Sequence, residues 1–378
     1  MSSSSHFRIV IAALALVWNL YGQKAAAVTV AVGPTTCEPS RAHYATIQAA
    51  VSAVPAGSTV VVCPGSYPEQ VLITQPLTLK GVTDGTGDAA VITVPAGGLV
   101  LNASAPVAFG GPVSGQLVVQ NSVSVEVSDI TVDGAGSGCV TGALRQAGIV
   151  VSGAGASDVG TSSIKIDNVT VRNQHGCAEG EGIIADSSFL TIVNNQIHDI
   201  DITGIVVGAG TVNIHSNNMQ TVSNGVSVNA TNNTVITANT VAGAGQAGII
   251  VQDNSAGTTV ANNVVLASPA AIGIGLLASA TNTMVTGNTV SNCIFGIMLG
   301  AVGNNVVQSN NLSQLGSDGV LDEFSLGGNI VTKNIVNEAA FGILTDSTGA
   351  SDTLTPNTFY NAVVTLDPSP LVMEAVKY

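Results

Sequence analysis

The sequence predicts an all-β fold, a right-handed parallel β-helix (solenoid) with an N-terminal capping helix. Three observations point there. A glycine step recurs at a near-constant interval, an asparagine mark runs in phase with it, and charged and aromatic side chains are scarce.

The step is a glycine followed at once by Ile or Val, at Gly148, Gly182, Gly204, Gly225, Gly248, Gly273, Gly296, Gly319 and Gly342. Successive intervals are 34, 22, 21, 23, 25, 23, 23 and 23 residues. Self-similarity at such a period is the mark of a stacked-repeat architecture, in which each coil buries its apolar face only against its neighbours. The second mark is Asn195, Asn218, Asn239, Asn263, Asn288, Asn311 and Asn334, each followed within three residues by an apolar side chain. It reads as a ladder at a sharp corner, because Asn tolerates the left-handed conformation and stacked amides hydrogen-bond from coil to coil. Short alternating runs between the marks, such as Val212-Asn213-Ile214, read as strands of a parallel sheet. No repeat holds a helical pattern long enough for a βαβ unit.

Composition agrees. Only 8% of the residues are charged and 3% aromatic, against 46% hydrophobic and 43 glycines. A compact globule carries about 25% charged residues, and a disordered chain is poor in Val and Ile.

Residues 1–27 read as a secretory signal, with His6 and Arg8 in the leading region, an apolar run over 9–18, and Ala25 and Ala27 at the cleavage positions. That run is too short to span a bilayer, and no other stretch qualifies, so the mature chain is expected to have no membrane span. Residues 28–60 form the expected N-terminal cap. Within it, 44–54 places Ile47, Ala50, Val51 and Val54 at helical spacing before Pro55 and Gly57 end the helix. The β-helix is assigned to 61–365, closing on an irregular cap around 355–360, and 366–378 is a tail. At about 4.8 Å per coil the rod is expected to be on the order of 55 Å long, and a monomer.

Removing the signal takes away Arg8 and Lys24 but no acid, leaving seven basic residues against 23 acidic ones, a net charge of −16. Such a surface repels nucleic acid. Acidic polysaccharides are disfavoured unless Ca²⁺ bridges the two sets of carboxylates. Export permits disulfides. Cys37 with Cys63, and Cys139 with Cys177, are the expected pairs, with Cys293 left as a small buried apolar residue.

The run YATIQAAVSAVPAGSTVVVCPGSYPEQVLITQPLTLKG over 44–81 resembles the start of the pectin-lyase-like superfamily, and the later Asn/Gly coils resemble its parallel β-helix repeats. The resemblance implies the fold and leaves the activity open, since that fold hosts lyases, hydrolases, esterases, epimerases and non-catalytic proteins. Gly65, Tyr67 and Glu69 match the G-x-Y-x-E motif of pectin methylesterases, but the QDTL, DFIFG and LGRPW stretches are missing. The motif is therefore read as a turn into the first coil. Of the polygalacturonase set only His175-Gly176 is present. Pectate lyases pair a basic residue with Ca²⁺-binding aspartates, and only Arg41, Arg145 and Arg172 remain as arginines after export.

Charge clusters in one place. Between Lys165 and Asp201 lie 10 of the chain's 37 charged or His residues, beside the irregular 34-residue interval. An insertion on one face of a repeat protein often lines its binding site. The candidate catalytic residues are Glu181, Asp199, Asp201, His175 and Arg172. Two carboxylates suit acid/base work on a glycosidic bond. His175 or Arg172 suits abstraction of a proton next to a uronate carboxylate. Asp199 and Asp201, alternating along a strand, share a face and are the candidate Ca²⁺ ligands, and His198 is expected on the other side. A second cluster, Asp318, Asp322 and Glu323, reads as an exposed turn. His and Met are too scattered for a copper site. Two readings stay open: an exported protein that binds, and processes, extracellular carbohydrate; alternatively, a non-catalytic structural or adhesive cell-surface protein.

Overall fold

The computed structural model describes residues 25–83, 89–104, 111–153, 163–176, 179–186, 189–345 and 352–363. The expected signal up to Lys24 and the tail at 366–378 lie outside them. The described strands form one thirteen-stranded and one nineteen-stranded sheet. Among the described residues every strand pairing is parallel except that of Ala103–Ser104 with Pro112–Gln120. The chain is a right-handed parallel β-helix.

One coil shows the plan. Val212–His215 is a strand of the first sheet, Ser216 turns the corner at φ 58°, and Asn218–Asn229 is a strand of the second sheet that bends at Thr221, φ 52°. Apolar side chains stack in columns along the axis. Ile192, Ile214, Ile236, Val260, Val285, Val307 and Val331 are in register and fully buried. Burying each such side chain contributes about 1.5–3 kcal/mol. That explains how short strands suffice for a stable core.

The glycine step has a packing cause. A Cβ on Gly225 would lie 2.4 Å from the carbonyl oxygen of Gly248, and one on Gly319 would lie 2.4 Å from that of Gly342. At this bend the backbones of successive coils approach too closely for any side chain.

The asparagine ladder is Asn195, Asn217, Asn239, Asn263, Asn288, Asn310 and Asn334, extended by Asn357. Asn218 and Asn311, taken from the sequence as its members, instead begin the next strand on the outer surface. From Asn195 to Asn334 the left-handed residue is the one before the ladder position, as at Ser216, Ala238, Asn262 and Ser309. The ladder therefore selects Asn for its amide and not for its backbone. Around the other corner Thr283, Asn305, Asn329 and Asp352 form a second ladder, which the sequence did not suggest.

At the N-terminal end Thr29–Val32 is already a rung, pairing Val30 with Val60 and Val32 with Val62. Helix α1, Ile47–Ala53, follows and buries Ile47, Ala50 and Val51. Its first turn is held by Thr46, whose hydroxyl accepts from Ala49 N, and by Glu69, whose carboxylate accepts from Ile47 N at 2.8 Å and Gln48 N at 2.9 Å. Tyr67 is buried and donates to Cys63 O at 2.7 Å. The G-x-Y-x-E motif is accordingly structural here. Cys37 and Cys63 are bonded, with Cα atoms 6.1 Å apart, and Cys293 is a buried free thiol. Cys139 is disulfide-bonded too, while Cys177, its expected partner, lies outside the described residues.

The C-terminal segment departs from its expected irregularity. Thr358–Val363 is a strand paired in parallel with Ile335–Thr345, because Phe359 fills the column occupied by Val336 one coil before.

Candidate functional site

Three consecutive coils present a regular polar array on the outer side of the second sheet. Thr170, Gln196 and Asn218 are in register, as are Arg172, His198 and Gln220. Between the two columns Val171, Ile197 and Met219 point into the core and are buried, so strand alternation sends the flanking residues outward. Together these outward residues line a groove of about 280 Å³ with Ile197 at its floor. Neighbouring amides join across coils, Asn218 Nδ2 donating to Gln196 Oε1 at 2.9 Å.

The charged members are held by carboxylates beside them, Asp133 standing one rung before Arg172 in the same outward column. Arg172 Nε donates to Asp133 Oδ2 at 2.8 Å, and Asn173 Nδ2 donates to Asp133 Oδ1 at 2.9 Å. Burial pushes the Asp133 carboxyl up, but the Asn173 and Ala135 N–H donors and Arg172 outweigh it and hold it below its ordinary value. His198 Nδ1 lies 2.7 Å from Asp199 Oδ2. His175 Nδ1 lies 2.7 Å from Asp201 Oδ1, whose partner Oδ2 accepts from Gly176 N at 3.2 Å.

The expectation from alternation fails at Asp199. It takes φ 57°, in the column of left-handed bends that includes Asn173 and Thr221, and the next residue, Ile200, turns inward and is buried. Asp199 is engaged by His198 and Asp201 by His175. His198, expected on the far side, lines the groove. Among the described residues no group of three or more His, Cys, Asp or Glu side chains is placed to hold a metal ion.

Glu181 stands apart from the groove. It is fully buried at the glycine bend, in register with Ala147 and Thr203. Its Oε1 accepts from Arg145 Nη1 at 2.7 Å, and Glu179 takes Arg145 Nη2 at 2.8 Å. Burial raises the Glu181 carboxyl to about 8, against the pull of Arg145. Lys165 and Asp167 belong to the other sheet, where Lys165 bridges Asp167 and Glu126. The single cluster read from the sequence is thus three groups on three faces. Asp133, Gln196, Asn218 and Gln220 escaped that reading because only coil-to-coil register brings them to Arg172 and His198.

The second acidic cluster is not an exposed turn. Asp318 and Asp322 are buried on the strand Asn311–Glu323, with Asp318 between Phe295 and Phe341 in register. Burial raises the Asp318 carboxyl, partly offset by a hydrogen bond from Ser317 Oγ.

The family described as right handed beta helix region matches residues 114–274 and 224–367, more than half of the chain. The chain belongs to this family. Solved β-helices superpose on nearly its whole length. The A-module of the mannuronan C-5 epimerase AlgE4 of Azotobacter vinelandii does so with a TM-score of 0.54 at 19% identity, over 87% of this chain and 95% of that one. The DFA-IIIase of Arthrobacter chlorophenolicus A6 in complex with GF2 gives 0.53 at 17%, over 80% and 83%. The tailspike of E. coli bacteriophage HK620 in complex with pentasaccharide gives 0.57 at 12%, over 89% and 67%. At these identities the likeness speaks for the fold. No curated protein matches the sequence.

Proposed function

We propose that this β-helix is an exported protein that binds extracellular polysaccharide in the groove over Thr170–Gln220. The observation that carries the reading is the array itself: three rungs, each giving two outward polar side chains, with Ile197 between them. Amides, a hydroxyl and a guanidinium offer donors and acceptors in pairs to sugar hydroxyls. Adjacent rungs repeat at about 4.8 Å, so an extended chain lying along the rod meets the same chemistry at each step. The names of the structural neighbours lend support, one referring to mannuronan and another to a bound pentasaccharide. Export is supported by the Cys37–Cys63 disulfide. Among the described residues no helix is long and apolar enough to cross a membrane.

A second reading, a non-catalytic adhesive rod, draws on the opposite sheet. Its outward positions from Val235 to Thr332 carry no charge over five coils.

Affinity electrophoresis against a panel of neutral and acidic polysaccharides tests the two. Retardation of the wild type, lost in a Gln196→Ala/Asn218→Ala/Gln220→Ala variant and kept in Thr237→Ala/Thr286→Ala/Thr332→Ala, supports the groove. The reverse pattern, or no retardation on any polymer, moves the assignment to the adhesive rod.

A further inference from the structure

Glu181 and Asp318 occupy one column, the position just before the glycine step, linked rung by rung from strand to strand. A side chain on Gly319 would meet Val336 of the core, so the residue before it projects outward. Glu181 meets a cation there, Arg145 Nη1 at 2.7 Å. No cation acts on Asp318 among the described residues. Its Oδ2 accepts from Ser317 Oγ at 3.0 Å, and its Oδ1 is buried with no hydrogen-bond partner among the described residues. In place of a basic residue, the rungs on either side supply Phe295 and Phe341. Both rings are partly exposed, whereas Asp318 between them is 1% exposed. The next outward column, Met298 and Leu344 with Leu321 between them, is apolar. A carboxylate in such surroundings is costly unless a positive charge is paired with it, and aromatic rings attract the same charge. The arrangement is complete except for the cation.

We propose that Asp318, Phe295 and Phe341 form a binding site for a primary ammonium group carried on a short aliphatic chain. The site is independent of the saccharide groove, which lies in the coils of residues 170–220. The ammonium donates to Asp318 Oδ1, the atom left without a partner, and to Ser317 Oγ, whose own proton goes to Oδ2. Each ring stands one rung away, about 4.8 Å, within the roughly 6 Å over which an aromatic face holds a cation. The partly exposed rings part to admit the ligand, and Met298 and Leu344 take its alkyl chain. The net charge of −14 draws cations toward the molecule and repels anions. A quaternary ammonium has no N–H for Oδ1, and an alcohol of the same length has no charge, so both bind more weakly.

Titration calorimetry of the full chain with n-butylammonium, n-butanol and tetramethylammonium tests this, with melting temperature read in parallel. The expected result is that n-butylammonium binds at least about tenfold more tightly than the other two, the effect of one hydrogen bond to a charged group. Asp318→Asn loses at least about tenfold in affinity. Phe295→Leu and Phe341→Leu each lose about two- to fivefold, and Gln196→Ala, in the groove, binds as wild type. Saturating n-butylammonium raises the melting temperature of the wild type and not that of Asp318→Asn. Without ligand that variant, relieved of a buried charge, melts no lower than wild type. Should it fail to fold, the two Phe variants and n-butanol carry the test. Nα-acetyl-lysine amide as a further probe distinguishes a lysine side chain, which it mimics, from a free amine as the source of the group. Absence of both heat and melting shift with n-butylammonium overturns the proposal. So does an Asp318→Asn variant that binds as tightly as wild type, or n-butanol binding as tightly as the amine. None of these outcomes alters polysaccharide retardation, which tests the groove separately.

Discussion

Asn217 Nδ2 donates to Asn239 Oδ1 at 2.9 Å, one coil on, and the same oxygen accepts the backbone N–H of Asn217 at 3.0 Å. Each ladder amide thus satisfies the backbone of the coil before it while its own N–H groups are satisfied by the coils on either side. All of this is buried, so a missing amide leaves donors with no water to turn to.

Asn239→Ala is therefore expected to destabilise the fold by about 3 kcal/mol, since each stranded buried donor costs about 1–3 kcal/mol. Asn218→Ala, one position off the ladder, is expected to cost less than about 0.5 kcal/mol. Urea midpoints of the two variants check the difference.

The glycine bend is equally demanding. Gly225→Ala drives a Cβ into the Gly248 carbonyl oxygen and the Val241 side chain, which stand 2.4 and 2.7 Å from its ideal position. Backbone cannot yield as a side-chain end does, so a loss of about 3 kcal/mol is expected. A lowered melting temperature with an unchanged far-ultraviolet spectrum would bear this out.

Glu181 gives a pH dependence with a definite sign. Its carboxyl is raised from 4.5 to about 8, chiefly by burial. Between those values the folded chain keeps a proton that the unfolded chain has released. Stability is then full below about 4.5, falls as pH rises to about 8, and is level beyond, with a slope of at most about 1.4 kcal/mol per pH unit. Glu181→Gln should flatten this part of a stability–pH curve; an unaltered slope would assign it to other groups.

The Cys37–Cys63 bond closes a loop of 26 residues. Replacing both cysteines with Ser is expected to cost about 3 kcal/mol. Glu69→Ala, which strips two acceptors from the first turn of α1, should cost about 1 kcal/mol. Neither change touches the groove, and saccharide retardation should be the same as wild type.

Much of the fold was legible because a solenoid repeats its instructions. Gly225 and Gly248 announce the bend wherever they fall, and one coil read correctly is all coils read correctly. The places that misled were those where two adjacent residues share a type but not a role. In Asn217-Asn218 and Asn310-Asn311 the ladder member is the first of the pair, which only the corner geometry distinguishes. At Thr358–Val363 a single Phe359 replaces the usual aliphatic residue, and the rung is hidden by an unusual side chain in an ordinary position.

The candidate site was legible only as a neighbourhood. The abundance of charge over 165–201 falls on the coils that carry the groove, but it merged Lys165, Glu181 and His198, which the three-sided coil sends to different faces. What the sequence by itself determined is the solenoid, its period and its buried columns, because those depend on residue type at a fixed interval. What only the tertiary structure decided is which polar groups meet. Asp133, Arg172 and His198 are separated by 39 and 26 residues along the chain, yet parallel register stacks them on consecutive rungs. The left-handed turn at Asp199 then brings its carboxylate to His198 and turns Ile200 into the core.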